Sequence, residues 1–191
     1  MTTLRYAFKE WAVICRALAE GRQAVILRKG GIAEKQGTFE VEQRRFWLYP
    51  TYVHQQRTGM IEEEFPLLER VEAERPAPGV VRLSHFAEVG GIFHLHDIVG
   101  ALKLEGLHLW SRETVEQRFL YREPGLFVLP VRVYRAAAVV EMQETAEFAG
   151  CRSWVDLGRE LSTEGATPVL EDRQFHEVMH ELERLEPQAW V

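Results

Sequence analysis

The chain has 191 residues, 46% hydrophobic and 27% charged, with a formal net charge of −6. This suits a globular domain that buries a core, and it argues against strong non-specific attraction to nucleic acid. No apolar stretch approaches the roughly 20 residues that cross a bilayer, and MTTLRYAFKEW lacks a signal-peptide core, so a cytoplasmic protein without membrane contact is expected.

The charge is uneven. Residues 21–57 hold seven bases and three acids, whereas from residue 136 onward four bases face twelve acids. A basic head and an acidic tail fit an anion site in the first part and a solvated surface in the second. Two cysteines, Cys15 and Cys151, supply neither a disulfide framework nor a zinc site, and no cofactor is expected.

In chain order, Phe8, Trp11, Ala12, Cys15, Leu18 and Ala19 recur at helical spacing and predict a helix over 7–20, stopped by Gly21. A strand follows at 23–28, its apolar run Ala24–Leu27 ending in Arg28-Lys29-Gly30-Gly31. The stretch 39–49 reads as one bent strand or two and ends in Pro50-Thr51-Tyr52-Val53-His54-Gln55. Residues 52–74 are polar and partly helical, and Pro76-Ala77-Pro78-Gly79 reads as a linker. Two strand-like runs lie in 80–95, with Gly90-Gly91 marking a bulge or hairpin. One or two short helices are expected over 97–119. LFVLPVRVY at 126–134 is the strongest strand, with Pro130 favouring an edge or bulged position. Residues 136–142 continue it or form the next strand, and 153–161 and 171–186 read as helices. This is not a regular βαβ alternation. It predicts an α+β fold with a small mixed or antiparallel sheet and flanking helices, a PUA/ASCH-like barrel being one form of it. The expected division is a core domain over 1–150 and a helical extension over 151–191 packed on it.

Several motifs compete for a function. His176-Glu177-Val178-Met179-His180 matches the zinc-hydrolase pattern H-E-x-x-H. The helix that carries it is held by Phe175, Val178, Met179, Leu182 and Leu185, a stripe that leaves both histidines and Glu177 outside, so no metal is expected there. In His94-Leu95-His96-Asp97, Asp97 is read as a helix cap rather than a ligand. A magnesium nuclease of the PD-(D/E)xK kind could recruit Glu10, Glu40 and Glu42, but no D/E-x-K triplet lies on a strand. No phosphate-binding loop and no G-x-S-x-G elbow is present, and no catalytic residue is assigned.

Gly21-Arg22-Gln23-Ala24-Val25-Ile26-Leu27-Arg28 resembles the G-x-K-x-x-x-x-R signature of ASCH domains, members of the PUA-like superfamily, with Gln23 in place of the lysine. That resemblance implies a strand lining a cleft for RNA or nucleotide ligands. A longer set of segments resembles the uncharacterised bacterial family called domain of unknown function 1802. These are Lys9-Glu10-Trp11-Ala12-Val13, Leu27-Arg28-Lys29-Gly30-Gly31-Ile32, Tyr49-Pro50-Thr51-Tyr52 with His54-Gln55, Arg132-Val133-Tyr134-Arg135 and Gly150-Cys151-Arg152-Ser153-Trp154. That family implies no set activity; the association of some members with Mrr-type restriction endonuclease domains implies work on nucleic acid.

The expected function is a nucleotide- or nucleic-acid-binding module with an anion site at Arg28, Lys29, Tyr52 and His54 in one cleft. Arginine offers a planar fork and lysine a point charge for the anion, tyrosine a ring to stack on and histidine a hydrogen bond. In the competing view Arg28 only pairs with Glu40 or Glu42. The alternatives are the metal-dependent nuclease and a structural partner in a restriction-type system, docked through the 171–186 helix.

Overall fold

The computed structural model describes residues 2–29, 42–53, 55–148 and 152–185. Strand β1 (Thr3–Trp11) runs directly into helix α1 (Ala12–Ala19), followed by β2 (Val25–Arg28) and β3 (Arg45–Thr51). A single 3-10 turn (Glu62–Glu64) leads into α2 (Phe65–Ala73). Then come β4 (Val80–Val89), β5 (Phe93–Leu95), α3 (Ile98–Leu102) and α4 (Arg112–Leu120). The long strand β6 (Leu126–Gln143) precedes β7 (Trp154–Ser162), β8 (Thr167–Pro168) and α5 (Asp172–Leu185). Among the described residues no helix is long and apolar enough to cross a membrane.

Two expected helices are corrected. Residues 3–11 are a strand between β3 and β7, and only the second half of the 7–20 segment is helical. Ala7 and Phe8 are both buried because both faces of this strand are covered, and consecutive apolar residues then mimic a helical stripe. Residues 153–161 are strand β7, where Val155, Leu157 and Leu161 are buried at every second or fourth position. Gly158, at φ +71, kinks it and blurs the alternation. The segment after residue 151 thus contributes two strands to the sheet, and its helical part is α5.

The sheet has the order β2-β6-β4-β3-β1-β7, with β5 and β8 also on β6. β1 and β3 are parallel, and the other named pairs are antiparallel. The fold is therefore α+β, a mixed sheet with flanking helices. β4 and β5 pair with successive stretches of β6, separated by a bulge. Val89 faces Val131 and Phe93 faces Val128, so three residues, 90–92, oppose two. Pro130 sits there. Its carbonyl accepts from Gly90 N–H, so its nitrogen, on the same side of an extended residue, faces the interruption where no ladder donor is needed. Its position is bulged rather than at an edge, since β2 pairs on its other side.

The sheet is strongly curled. Arg28 at the end of β2 donates from Nη2 to the Lys9 carbonyl of β1 at 3.1 Å, yet these strands are first and fifth in the order. At roughly 4.8 Å per strand a flat sheet would hold them about 19 Å apart, beyond a side chain's reach. Curling gives β1, β3 and β4 two buried faces. Phe8, Phe46, Leu48 and Ala87 pack with the helices; Ala7, Trp47, Tyr49, Leu83 and Phe86 pack with Val155, Leu157 and Leu161. Trp154 sits edge-on against Phe8 and Phe46, 4.8 and 5.1 Å between ring centres.

Helix α5 spends its apolar stripe inside the chain. Phe175, Val178 and Leu182 are buried, Phe175 and Met179 cover Gly90, and Asp172 pairs with Arg132 on β6. His176, Glu177 and His180 lie on the exposed side, as the stripe predicts. Asp97 caps α3, accepting from Gly100 N–H at 3.1 Å.

Gly21 closes α1 with φ +70, while Gly21 N–H donates to Leu18 O and Arg22 N–H to Ala17 O. These paired bonds need a left-handed residue, and a β-carbon there would sit 2.9 Å from Leu170 Cδ2. Gly21→Ala is expected to cost roughly 1–2 kcal/mol, read as a lower denaturant midpoint with an unchanged slope.

Candidate anion-binding cleft

The cleft begins where two strands part. β3 and β4 pair only from Arg45–Trp47 to Glu88–Phe86. Beyond that point β3 continues along β1 to Thr51 and β4 continues along β6 to Val80. Between the diverging ends, α1 and the α2–β4 connection, lies a cavity of about 1030 Å³. In a chain of net charge −6, eight arginines and lysines line it against four glutamates.

Some of these cations are already neutralised. Arg16 pairs with Glu74 and Glu20, and Arg82 with Glu141. Lys9 donates to the Phe148 carbonyl and lies 5.7 Å from the Tyr49 ring centre. Others have no carboxylate. The Arg28 guanidinium lies 4.3 Å from the Phe8 ring centre and makes one hydrogen bond, to Lys9 O. Its Nε is buried without a partner among the described residues. Arg118, from α4, lies 3.8 Å over the Trp110 ring. Burial pushes its pKa below the ordinary arginine value; nearby Glu10 opposes that and Arg28 adds to it. It stays protonated all the same. Arg75, at the rim, stacks on Tyr52 at 4.8 Å. Among the described residues none of Arg28, Arg75 and Arg118 is within ion-pair distance of an acid. Arg118 thus feels a second cation, Arg28, and one acid, Glu10, whose influence is the larger of the two.

Glu10 stands beside them, nearly buried. Its Oε1 accepts from Trp11 N–H at 2.9 Å, and its carbonyl accepts from Thr51 Oγ1 at 3.0 Å. The first turn of α1 receives no cap from Trp11; instead Gln55 Oε1 accepts from Val13 N–H at 2.7 Å, which ties Gln55 to the helix. Trp11, edge-on to Trp110 at 4.9 Å, and half-buried Tyr52 supply aromatic surface to the same cavity. Burial, first, raises the Tyr52 pKa, so it is a neutral ring and hydroxyl at working pH.

Of the four expected site residues, Arg28 and Tyr52 line this cleft together. Lys29 does not. Its Nζ donates to the carbonyls of Phe119 at 3.0 Å, Gly125 at 2.8 Å and Glu123, at the end of α4 and in the turn after it. Neighbours at a strand end face opposite ways, so the side chain that follows Arg28 turns from the cleft. His54 lies outside the described residues. Glu40, one expected partner of Arg28, also lies outside them; Glu42 does not line the cleft. For the metal-nuclease alternative, Glu10 is in the cleft without Glu42. Among the described residues no three His, Cys, Asp or Glu side chains gather as a metal site.

Arg118, Arg75, Arg135 and the pair Ser84-His85 were not anticipated. They come from four elements or connections far apart in sequence, so no local spacing announces them.

A model of the family described as Domain of unknown function (DUF1802) matches residues 7–181. The chain belongs to that family. The match runs from β1 into α5 and so takes in every wall of the cleft of this DUF1802 chain. No curated protein matches it. Among solved structures, the ASCH protein of Zymomonas mobilis is similar over 92% of this chain and 93% of its own, at 11% identity and a TM-score of 0.42. A point mutant of that protein gives 11% identity over 92% and 94%, with a TM-score of 0.39. Likeness at this level assigns no function.

One buried histidine, His108, and one half-buried, His85, set an acid limit. Burial, helped by Arg135 and Arg16, lowers His85 to about 4. Burial, helped by Arg118, does the same to His108. Both are neutral when folded and take up protons when unfolded, starting near pH 6.5, so stability is lost as pH falls from there toward 4. Each contributes a loss of about 2–3 kcal/mol by pH 4.5. His85→Leu is expected to remove about half of this pH dependence, measured by urea unfolding at pH 7 and 4.5.

Proposed function

We propose that this cleft binds a nucleotide or the end of a nucleic-acid strand, with a phosphate between Arg28 and Arg118 and a ring against the Trp11–Tyr52 side. The observation that carries this reading is the pair of guanidinium groups on the cleft wall, neither within ion-pair distance of a carboxylate among the described residues, with Glu10 as the one acid near them in the cleft. An arginine fork matches two phosphate oxygens in plane, and stacking the guanidinium on Phe8 or Trp110 leaves its edge free to donate. Stripping water from such cations without a partner is costly, so their cost is recovered when an anion arrives. Aromatic side chains beside the cations suit a ligand that has both a charge and a flat ring.

Arg28 also bridges β2 to β1, which sets its second cost. Replacing it removes one hydrogen bond and one ring contact, not a buried ion pair. Arg28→Ala is therefore expected to weaken binding of short RNA or DNA probes by about 10- to 100-fold and to lower the salt dependence of binding. Its stability loss should stay at about 1–2 kcal/mol. Fluorescence anisotropy across a salt series, with urea unfolding in parallel, checks both. Unchanged binding together with a loss of several kcal/mol would make Arg28 a purely structural residue and refute the reading.

A further inference from the structure

On the wall opposite α1, two adjacent residues of β4, Ser84 and His85, both line the cleft. Neighbours on a regular strand face opposite sides. Here the ladder is broken: Leu83 faces Val140 and His85 faces Arg135, so Ser84 alone stands opposite the four residues 136–139 of β6. A bulge of this kind re-aims side chains, and this one turns both toward the cavity. Ser84 Oγ is 2.8 Å from His85 Nδ1, which holds the ring on one side. The other nitrogen, Nε2, is covered and has no hydrogen-bond partner among the described residues. A ring nitrogen in that state is costly unless something completes it.

We infer that His85, oriented by Ser84, is the second anchor of the cleft's ligand and meets the hydrogen-bonding edge of a nucleobase while the arginine end takes the phosphate. This rests on the anion-binding reading and adds the substrate class, a nucleotide recognised at both ends. The imidazole, being uncharged, favours a neutral partner. Arg135 and Arg16 lie near it and Glu74 pairs with Arg16, so a phosphate has better sites than an uncharged imidazole. Burial and those arginines keep the ring neutral, which makes it one directional donor or acceptor at Nε2, depending on the tautomer that Ser84 selects. Such a group reads a base edge, where a wrong partner leaves a polar atom unpaired. The same neutrality makes it a poor proton acceptor near pH 7, so recognition suits it better than catalysis. Arg135 is exposed, and the cover over Nε2 must move aside as the ligand enters.

Calorimetry with three kinds of probe tests this: inorganic phosphate, ribose 5-phosphate and the four ribonucleoside 5′-monophosphates. In the wild type at least one monophosphate should bind about tenfold tighter than ribose 5-phosphate. His85→Leu should erase that advantage and leave ribose 5-phosphate unchanged, whereas Arg28→Ala should weaken both. His85→Leu exchanges an unpaired buried nitrogen for an apolar group, so it should fold. Ser84→Ala, which only frees the ring, should cut the advantage about threefold and serves if it does not. Monophosphates no tighter than ribose 5-phosphate, or an advantage that survives both variants, would overturn the inference and leave the phosphate reading standing. No binding of any probe, or binding indifferent to Arg28, would remove both.

Discussion

The architecture hangs on one strand. Along its eighteen residues β6 receives β2 and β8 on one side and β5 and β4 on the other. A strand of that length cannot stay straight while its partners twist, and the two interruptions on the β4 side show where it bends. One is the bulge at Gly90, beside Pro130. The other is the break at Ser84, opposite the 136–139 segment. The bends let the sheet close toward itself until β2 comes within an arginine's reach of β1. Without them the five strands would form a flat sheet and Arg28 would end in solvent.

The same bends explain why the cleft has charge to spare. A closed ladder between β3 and β4 would have consumed the backbone of 48–51 and 82–85 in hydrogen bonds. Because the strands part, their side chains and those of α1 and α4 turn into a shared space that no single element controls. Ion pairs gather at its margin, where Glu20, Glu74 and Glu141 are partly exposed and water softens the pairing. Toward the interior the arginines rest on rings instead of carboxylates. The pairing is uneven: Arg16 and Arg82 are matched at the margin, whereas Arg75 there and Arg28 and Arg118 within have no acid at ion-pair distance among the described residues.

Much of this could be read from residue order, and what could not has a physical reason. Gly21, Asp97, the Gly90-Gly91 interruption, the 126–134 strand and the exposed face of α5 all follow local rules of capping, bulging and periodicity. Arg28 stood out because an apolar strand ended on it. The strand at 3–11 was hidden by burial on both faces, and β7 by the kink at Gly158. Lys29 was misplaced because adjacency in sequence was taken for adjacency in space. Arg118 and His85 were invisible for a different reason. Each is an ordinary residue in an ordinary helix or strand, and only the curl of the sheet brings them to Arg28's cleft.

Lys29 repays a closer look for what it is as an object. Three carbonyl oxygens from the end of α4 and the turn after it converge on its ammonium, much as ether oxygens converge on a potassium ion in a crown compound. The lysine tail makes that guest covalent and always present. The turn it gathers begins at the end of α4, one residue beyond Arg118, so the amine acts as a rivet that sets where the neighbouring guanidinium stands. Burial lowers its pKa from the ordinary lysine value, while the three carbonyls hold the ammonium in place. To meet an acylating reagent, it must first let go of the helix end.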